Sequence, residues 1–367
     1  FHFIITMVFY AKKLQDKGLF FVEAGMVLLF VTIAIPIQFD GNWIPIFWTL
    51  EALILFFIGR VQKIKVYEIL SYPMIFLAFF SVCKSLITDY KPYLQKYNTE
   101  AMDLTFVMNE VFLGAALAVI GFALLSFLNR MKSSRPDKPN GWQVTMDYFL
   151  PIMTFALLYF TFFAEISAHW TQQYNASFAG TTEGDWLDTW MGYSDKIFNR
   201  DLLKFQTISI MDYTLVYLGA LGVLNWLVWK NKNFGVILTA VSMFGILIYA
   251  IVGTLMFNDL SVSLNGGNDW NRYYTLEPMQ VYTWKYLSLA VFVVFTTVQY
   301  ATSRALKLGE SFSQWNAGLI HLCALVIISH EYLFIADIVG FSKSTKTALS
   351  VLWAAYAVVL LWLGIKN

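Results

Sequence analysis

Six side chains have the chemistry to act as more than scaffold: Glu51, Glu110, Glu165, His169, His330 and Glu331. Each lies in or at the edge of a strongly apolar stretch. An acid at the centre of a bilayer costs about 2.5–3.5 kcal/mol on insertion scales, so such a group normally faces protein and is a functional suspect. Glu51 sits at the midpoint of the apolar run 43–60. It reads either as a proton or cation carrier with a desolvated carboxyl, or as a structural acid bridging helices. Glu110 follows Asn109 and reads equally as a second buried acid or as a solvated helix start. Glu165 and His169 are one helical turn apart, and His330 and Glu331 are adjacent. Glu and His at i, i+4 can ligate zinc or form an acid–base couple. No HExxH or clustered ligand set accompanies them, and interfacial pairing explains them more simply. No metal and no cofactor is therefore expected. There is no P-loop, dinucleotide glycine motif or serine elbow, which argues against nucleotide chemistry. His321 reads as a hydrogen-bonded core histidine. Lys84 and Lys285 read as snorkelling lysines at outer helix ends, or as phosphate contacts for a lipid-linked substrate.

The elements that must position these groups follow from composition. The chain has 367 residues, of which 58% are hydrophobic and 13% charged, too few polar groups to cover a soluble core. Apolar runs of about 20 residues recur along its length, the signature of membrane-spanning helices. Ten spans are expected at 19–37, 43–59, 66–88, 103–128, 144–168, 212–229, 234–257, 281–302, 312–335 and 347–365, with a partial one at 1–10. The fold class is thus all-α: a polytopic transmembrane bundle forming a single domain, 1–367. Phe1 is not an initiator Met and 2–10 reads as a helix end, so the chain is expected to start inside a longer protein. Cys83 and Cys323 lie in separate apolar runs and predict no disulfide. A net charge of +1 excludes nucleic acid as a partner.

Charge placement orients the bundle. Basic residues crowd alternate short connections: Lys12, Lys13 and Lys17; Arg60, Lys63 and Lys65; Arg130, Lys132, Arg135 and Lys138; Lys230 and Lys232; Arg304 and Lys307; Lys366. By the positive-inside rule these face the cytoplasm, including 11–18 and 366–367. Two long segments, 169–211 and 258–280, then face the periplasm. The first is acidic, and Asp185 can cap a helix in which Trp186, Leu187, Trp190 and Met191 share a face at the outer membrane boundary. The second is rich in turn residues and aromatics, from Asn265 to Tyr274. Pro36, Pro45, Pro73 and Pro151 are expected to break or bend spans.

One internal repeat stands out. Trp48-x-x-Glu51-Ala52-x6-Gly59 matches Trp353-x-x-Tyr356-Ala357-x6-Gly364. Both copies run outside to inside after an outward helix. The small residues belong to helix packing. Glu51 does not recur, since Tyr356 takes its place.

The run Ala34-Ile35-Pro36-Ile37, then Asn42-Trp43, Trp48-Thr49-Leu50-Glu51-Ala52 and Gly59-Arg60, resembles the first conserved block of the domain-of-unknown-function 2339 family. The C-terminal run, with Ser329-His330-Glu331-Tyr332, Asp337, Leu349 to Ala357 and Leu363-Gly364, is similar to the form seen in Bacteroidetes members. The resemblance implies a polytopic protein of the bacterial inner membrane, with further helices at both ends, and implies no reaction. Where relatives often carry Asn before the late Glu, this chain has His330, which argues against a role needing the amide.

Three functions fit these residues. Transport or handling of a lipid-linked or sugar cell-envelope component would use Glu51 and Glu110 in a cavity. A membrane-embedded envelope-assembly enzyme would use Glu165, His169, His330 and Glu331 at the periplasmic rim. A scaffold subunit would use the aromatic outer loops to bind other envelope membrane proteins. Membrane lipids are expected partners in all three.

Overall fold

A computed structural model describes residues 17–39, 41, 43–98, 104–131, 141–181, 196–266, 274–339 and 345–366. Its helices are α1 (Lys17–Gln38), α2 (Trp43–Val61), α3 (Lys65–Thr88), the single turn α4 (Lys91–Leu94), α5 (Glu110–Arg130) and α6 (Gly141–Ala176). After them come α7 (Asp201–Leu224), α8 (Lys232–Ile248), α9 (Thr254–Leu264), α10 (Pro278–Ala305), α11 (Glu310–Val339) and α12 (Thr345–Lys366). Extended structure among the described residues is one bridge, in which Gly180–Thr181 pairs antiparallel with Lys196–Ile197. Nine helical segments among the described residues are long and apolar enough to cross a membrane, and α1 adds the shorter apolar stretch Gly25–Gln38. Their outward faces carry large apolar side chains such as Phe80, Phe127 and Phe244. In water such a surface would be an aggregation liability; in lipid it is the expected exterior. Buried hydroxyls satisfy themselves on their own helices, as Thr154 does on the Leu150 carbonyl and Thr161 on that of Leu157.

Helix ends differ from the hydropathy reading where polar side chains find partners. α7 begins at Asp201, eleven residues before the expected start, because its first turns bury Asp201, Phe205 and Ile208. The Asp201 carboxylate is paired there with Lys204 at 2.7 Å and accepts from the Ser263 hydroxyl at 2.8 Å. The segments expected as loops at 169–211 and 258–280 shrink accordingly, to 177–200 and 265–277. The helix expected around Asp185 to Met191 lies outside the described residues. The prolines do not break their spans. α1, α3 and α6 run through Pro36, Pro73 and Pro151 as continuous helices, and Pro45 sits in the first turn of α2. The helical irregularities are instead two π-helical turns, Asn225–Trp229 after α7 and Tyr249–Gly253 between α8 and α9.

The described residues fall into two compact units. One lies within Phe1–Gln95 and Glu100–Gln172, the other within Lys96–Thr99 and Gln173–Asn367. In the first, α2 packs on α3 and α5. Two glycines permit the close approach. A Cβ on Gly59 would fall 2.6 Å from Glu68 Cα, and one on Gly121 would strike the Thr49 methyl. In the second unit α7, α8, α10 and α11 share one apolar core around Leu215, Ile246, Phe292 and Cys323.

Candidate functional site

In the first unit the candidate acids stand in three different settings. Glu165 is fully buried on α6. It accepts hydrogen bonds from the Tyr90 hydroxyl at 2.5 Å, the Val107 amide at 2.6 Å and the Asn109 amide at 2.8 Å. Asn109 in turn caps α5 by accepting from the Phe112 amide at 2.8 Å. The carboxylate therefore pins the turn that delays α5 to Glu110, where Val107 adopts φ +64°. His169 packs against Phe106 with the rings tilted by 60° and their centroids 5.0 Å apart. Glu110 is exposed at the first residue of α5, where a carboxylate complements the helix dipole.

Glu51 is half-buried. Its Oε1 lies 2.8 Å from the Thr32 hydroxyl of α1, and its Oε2 is buried with no hydrogen-bond partner. Trp48 donates to the Thr32 carbonyl at 3.2 Å. That carbonyl is the one Pro36, four residues on, cannot bond. The second copy of the repeat makes the same kind of contact. Trp353 of α12 donates to the Ser329 hydroxyl of α11 at 2.8 Å, and Tyr356 lies 3.0 Å from His321 Nδ1.

Arg60 is not a free loop charge. It is 4% exposed, 3.0 Å from the Glu68 carboxylate, and donates to Asn129 at 2.7 Å. Tyr72 and Gln143 each donate to Glu68 at 2.8 Å. This network ties α2, α3, α5 and α6 at one end of the first unit.

The second unit holds a different arrangement, built in layers. The core helices and the two π-helical turns supply its side chains. The first layer is charged. Lys285 of α10, 1% exposed, sits 2.9 Å from Glu331 of α11, with its ammonium 3.0 Å from the centroid of the Phe334 ring. Burial of this kind requires a partner anion, and the ring face adds cation–π attraction. Lys285 thus does not snorkel. One turn along α10, Ser288 donates to Asp212 of α7 at 2.7 Å and lies 2.9 Å from the Tyr249 hydroxyl. A serine has one hydrogen to give. With Asp212 ionised, that hydrogen goes to the carboxylate and Tyr249 donates to Ser288. Tyr249 lies within electrostatic range of both Asp212 and Glu331, and His330 within range of Lys285 and Glu331. The π turn at Tyr249 turns both it and Ala250 inward, at 4% and 2% exposure. Such turns recur at functional sites.

The second layer is apolar: Leu215, Ile246, Phe292, Phe295, Cys323 and Ile327. The third is polar and uncharged: Asn225, Thr239, Ser242, Gln299, Thr302 and Asn316, all buried. Gln299 and Asn316 exchange amide hydrogen bonds at 2.8 and 3.2 Å.

A family model described as predicted membrane protein (DUF2339) matches residues 3–367. The chain belongs to the DUF2339 family. Searches of curated proteins and of solved structures gave no match. This DUF2339 chain therefore brings Glu331 and His330 together with Lys285, and keeps Glu165, His169, Glu51 and Glu110 in the other unit. Asp212, Tyr249 and Ser288 are not legible in the sequence, because hydropathy starts the span at Asp212 while the helix carries it in its interior. The signal that could have found it is the apolar turn preceding it, Ile208 to Met211. Among the described residues no group of three or more His, Cys, Asp or Glu is placed to hold a metal ion.

Proposed function

We propose that this DUF2339 protein is a translocator of the bacterial cytoplasmic membrane that moves or handles a lipid-linked or sugar component of the cell envelope, with the charged layer of its second unit as the working site. One observation carries the reading: Asp212 and Lys285 are buried, and Glu331 partly buried, on membrane-length helices beside a π-helical turn. Charges inside spans are rare and mark substrate or ion pathways, and broken helices line transporter sites. The basic connections support a cytoplasmic face at Lys63–Lys65, Lys230–Lys232 and Arg304–Lys307, with the 177–200 and 265–277 connections in the periplasm. Membrane lipids are its partners on this reading. An enzyme centred on Glu165 gains no support, because three donors already occupy that carboxylate.

The double variant Lys285→Met/Glu331→Leu tests the proposal. Replacing a buried ion pair by apolar groups of similar volume is often neutral or stabilising by about 1–4 kcal/mol. The variant is therefore expected to fold and accumulate at wild-type level. In a strain lacking the gene the wild-type gene is expected to restore resistance to detergent and large antibiotics, and the double variant is expected not to. Full restoration would make the pair structural and end the proposal.

A further inference from the structure

We infer that the second unit carries protons, with Asp212 as the proton-binding group, and that the Phe292–Phe295 layer is the barrier between two polar compartments. The inference rests on the translocator reading for its physiological purpose, and on the layers alone for its chemistry.

The charged layer supplies an unbroken hydrogen-bond chain, Tyr249–Ser288–Asp212. A hydronium ion reaching the Tyr249 oxygen can hand over a proton there. The proton of Tyr249 then passes to Ser288 and that of Ser288 to Asp212 Oδ1. Asp212 ends neutral, each hydroxyl again holds one hydrogen, and a water molecule is left. Reversal of the same shifts returns the proton. The other charged groups facing this chain are Lys285, Glu331 and His330, from α10 and α11. Lys285 and Glu331 cancel one another across 2.9 Å, which leaves Asp212 as the buried charge with no cationic partner of its own among the described residues.

Beyond this chain the route closes. α10 buries Lys285 and Ser288, then Phe292 and Phe295, then Thr296, Gln299, Thr302 and Ser303. With 1.5 Å of rise per residue, about 16 Å of the axis separates Ser288 from Gln299, and the two rings lie within it. Phe292 stacks on Tyr249, centroids 4.5 Å apart. Phe295 lies over Gly219, where an added Cβ would meet the ring at 3.3 Å. Past the rings, Asn225, Thr239, Ser242, Gln299 and Thr302 line a cavity of about 10 Å³. That is about the lower limit for one water molecule, and the lining offers the polar partners that water needs. Polar groups on both sides of an apolar constriction form a path that is shut while the rings are in place.

The full chain, reconstituted into liposomes with an entrapped pH dye and valinomycin to clamp the potential, gives the test. Phe295→Ala is expected to speed the decay of an imposed pH gradient about tenfold over wild type, a barrier change of about 1.4 kcal/mol. Phe295→Leu, which keeps the core filled, is expected to give a smaller rise and serves if the alanine variant does not fold. Adding Asp212→Asn to either is expected to return the rate to that of wild type. No rise with Phe295→Leu in folded protein, or a rise that Asp212→Asn leaves in place, overturns the inference. Failure here, with Lys285→Met/Glu331→Leu still unable to restore the envelope, leaves the translocator reading standing with another coupling ion. Proton flux with full restoration by that double variant does the reverse.

Discussion

At the residue scale, burial alone does not separate a working acid from an anchoring one. Glu165 and Asp212 are both buried on membrane-length helices. Glu165 is held by three donors from two separate stretches of chain, so its oxygens are already solvated by protein. Among the described residues Asp212 accepts from one donor, the Ser288 hydroxyl, itself part of a relay. The difference predicts opposite mutational behaviour. Without Glu165, the Tyr90 hydroxyl, the Val107 amide and the Asn109 amide lose their acceptor, and each buried donor left unpaired costs about 1–3 kcal/mol. Glu165→Ala is expected to lower the unfolding free energy by about 3 kcal/mol or more, and Glu165→Gln by less, because the amide oxygen still accepts. Denaturant unfolding in detergent micelles measures both. A loss under about 1 kcal/mol for the alanine variant would show that the 104–109 turn holds without it.

At the element scale, small residues set how closely helices approach, and their place in the sequence was readable. Gly59 was marked by the repeat as packing grammar, and it lies against the backbone of Glu68. Its partner was not readable, since nothing in the local pattern says that Arg60 turns back to Glu68 and Asn129 instead of pointing to water. Overfilling a tight contact costs about 1–3 kcal/mol. Gly59→Ala is expected to cost that much. Gly318→Ala, where nothing lies within 4 Å of the added atom, is expected to be neutral or stabilising by up to about 1 kcal/mol. Thermal unfolding of the two variants side by side checks the contrast; equal effects would remove the close-approach account. The repeat acquires a physical meaning at the same scale. In both copies a tryptophan ties its helix to the preceding one, Trp48 to Thr32 and Trp353 to Ser329, and the position of Glu51 or Tyr356 adds a polar contact.

At the scale of the whole molecule, the all-helical membrane architecture was legible because apolar run length reports it directly. The charged layer was not, because it forms from three helices and a π turn whose polar residues are spread over more than 100 positions, between Asp212 and Glu331. Hydropathy also shortened α7, treating Asp201 and Lys204 as loop charges although they neutralise each other. Orientation rests on charge bias and can be read independently. In a Cys83→Ser/Cys323→Ser background, a cysteine placed at exposed Gln62, between α2 and α3, is expected to be shielded from a membrane-impermeant maleimide until the membrane is opened. One placed at exposed Thr275, before α10, is expected to react once only the outer envelope layer is made permeable. The two sites test one orientation through opposite outcomes. Labelling of Gln62→Cys alone would invert the molecule and put the charged layer nearer the cytoplasm. Labelling of both from one side would mean that the helices between them do not cross an odd number of times, and the alternation of basic connections would then have another cause.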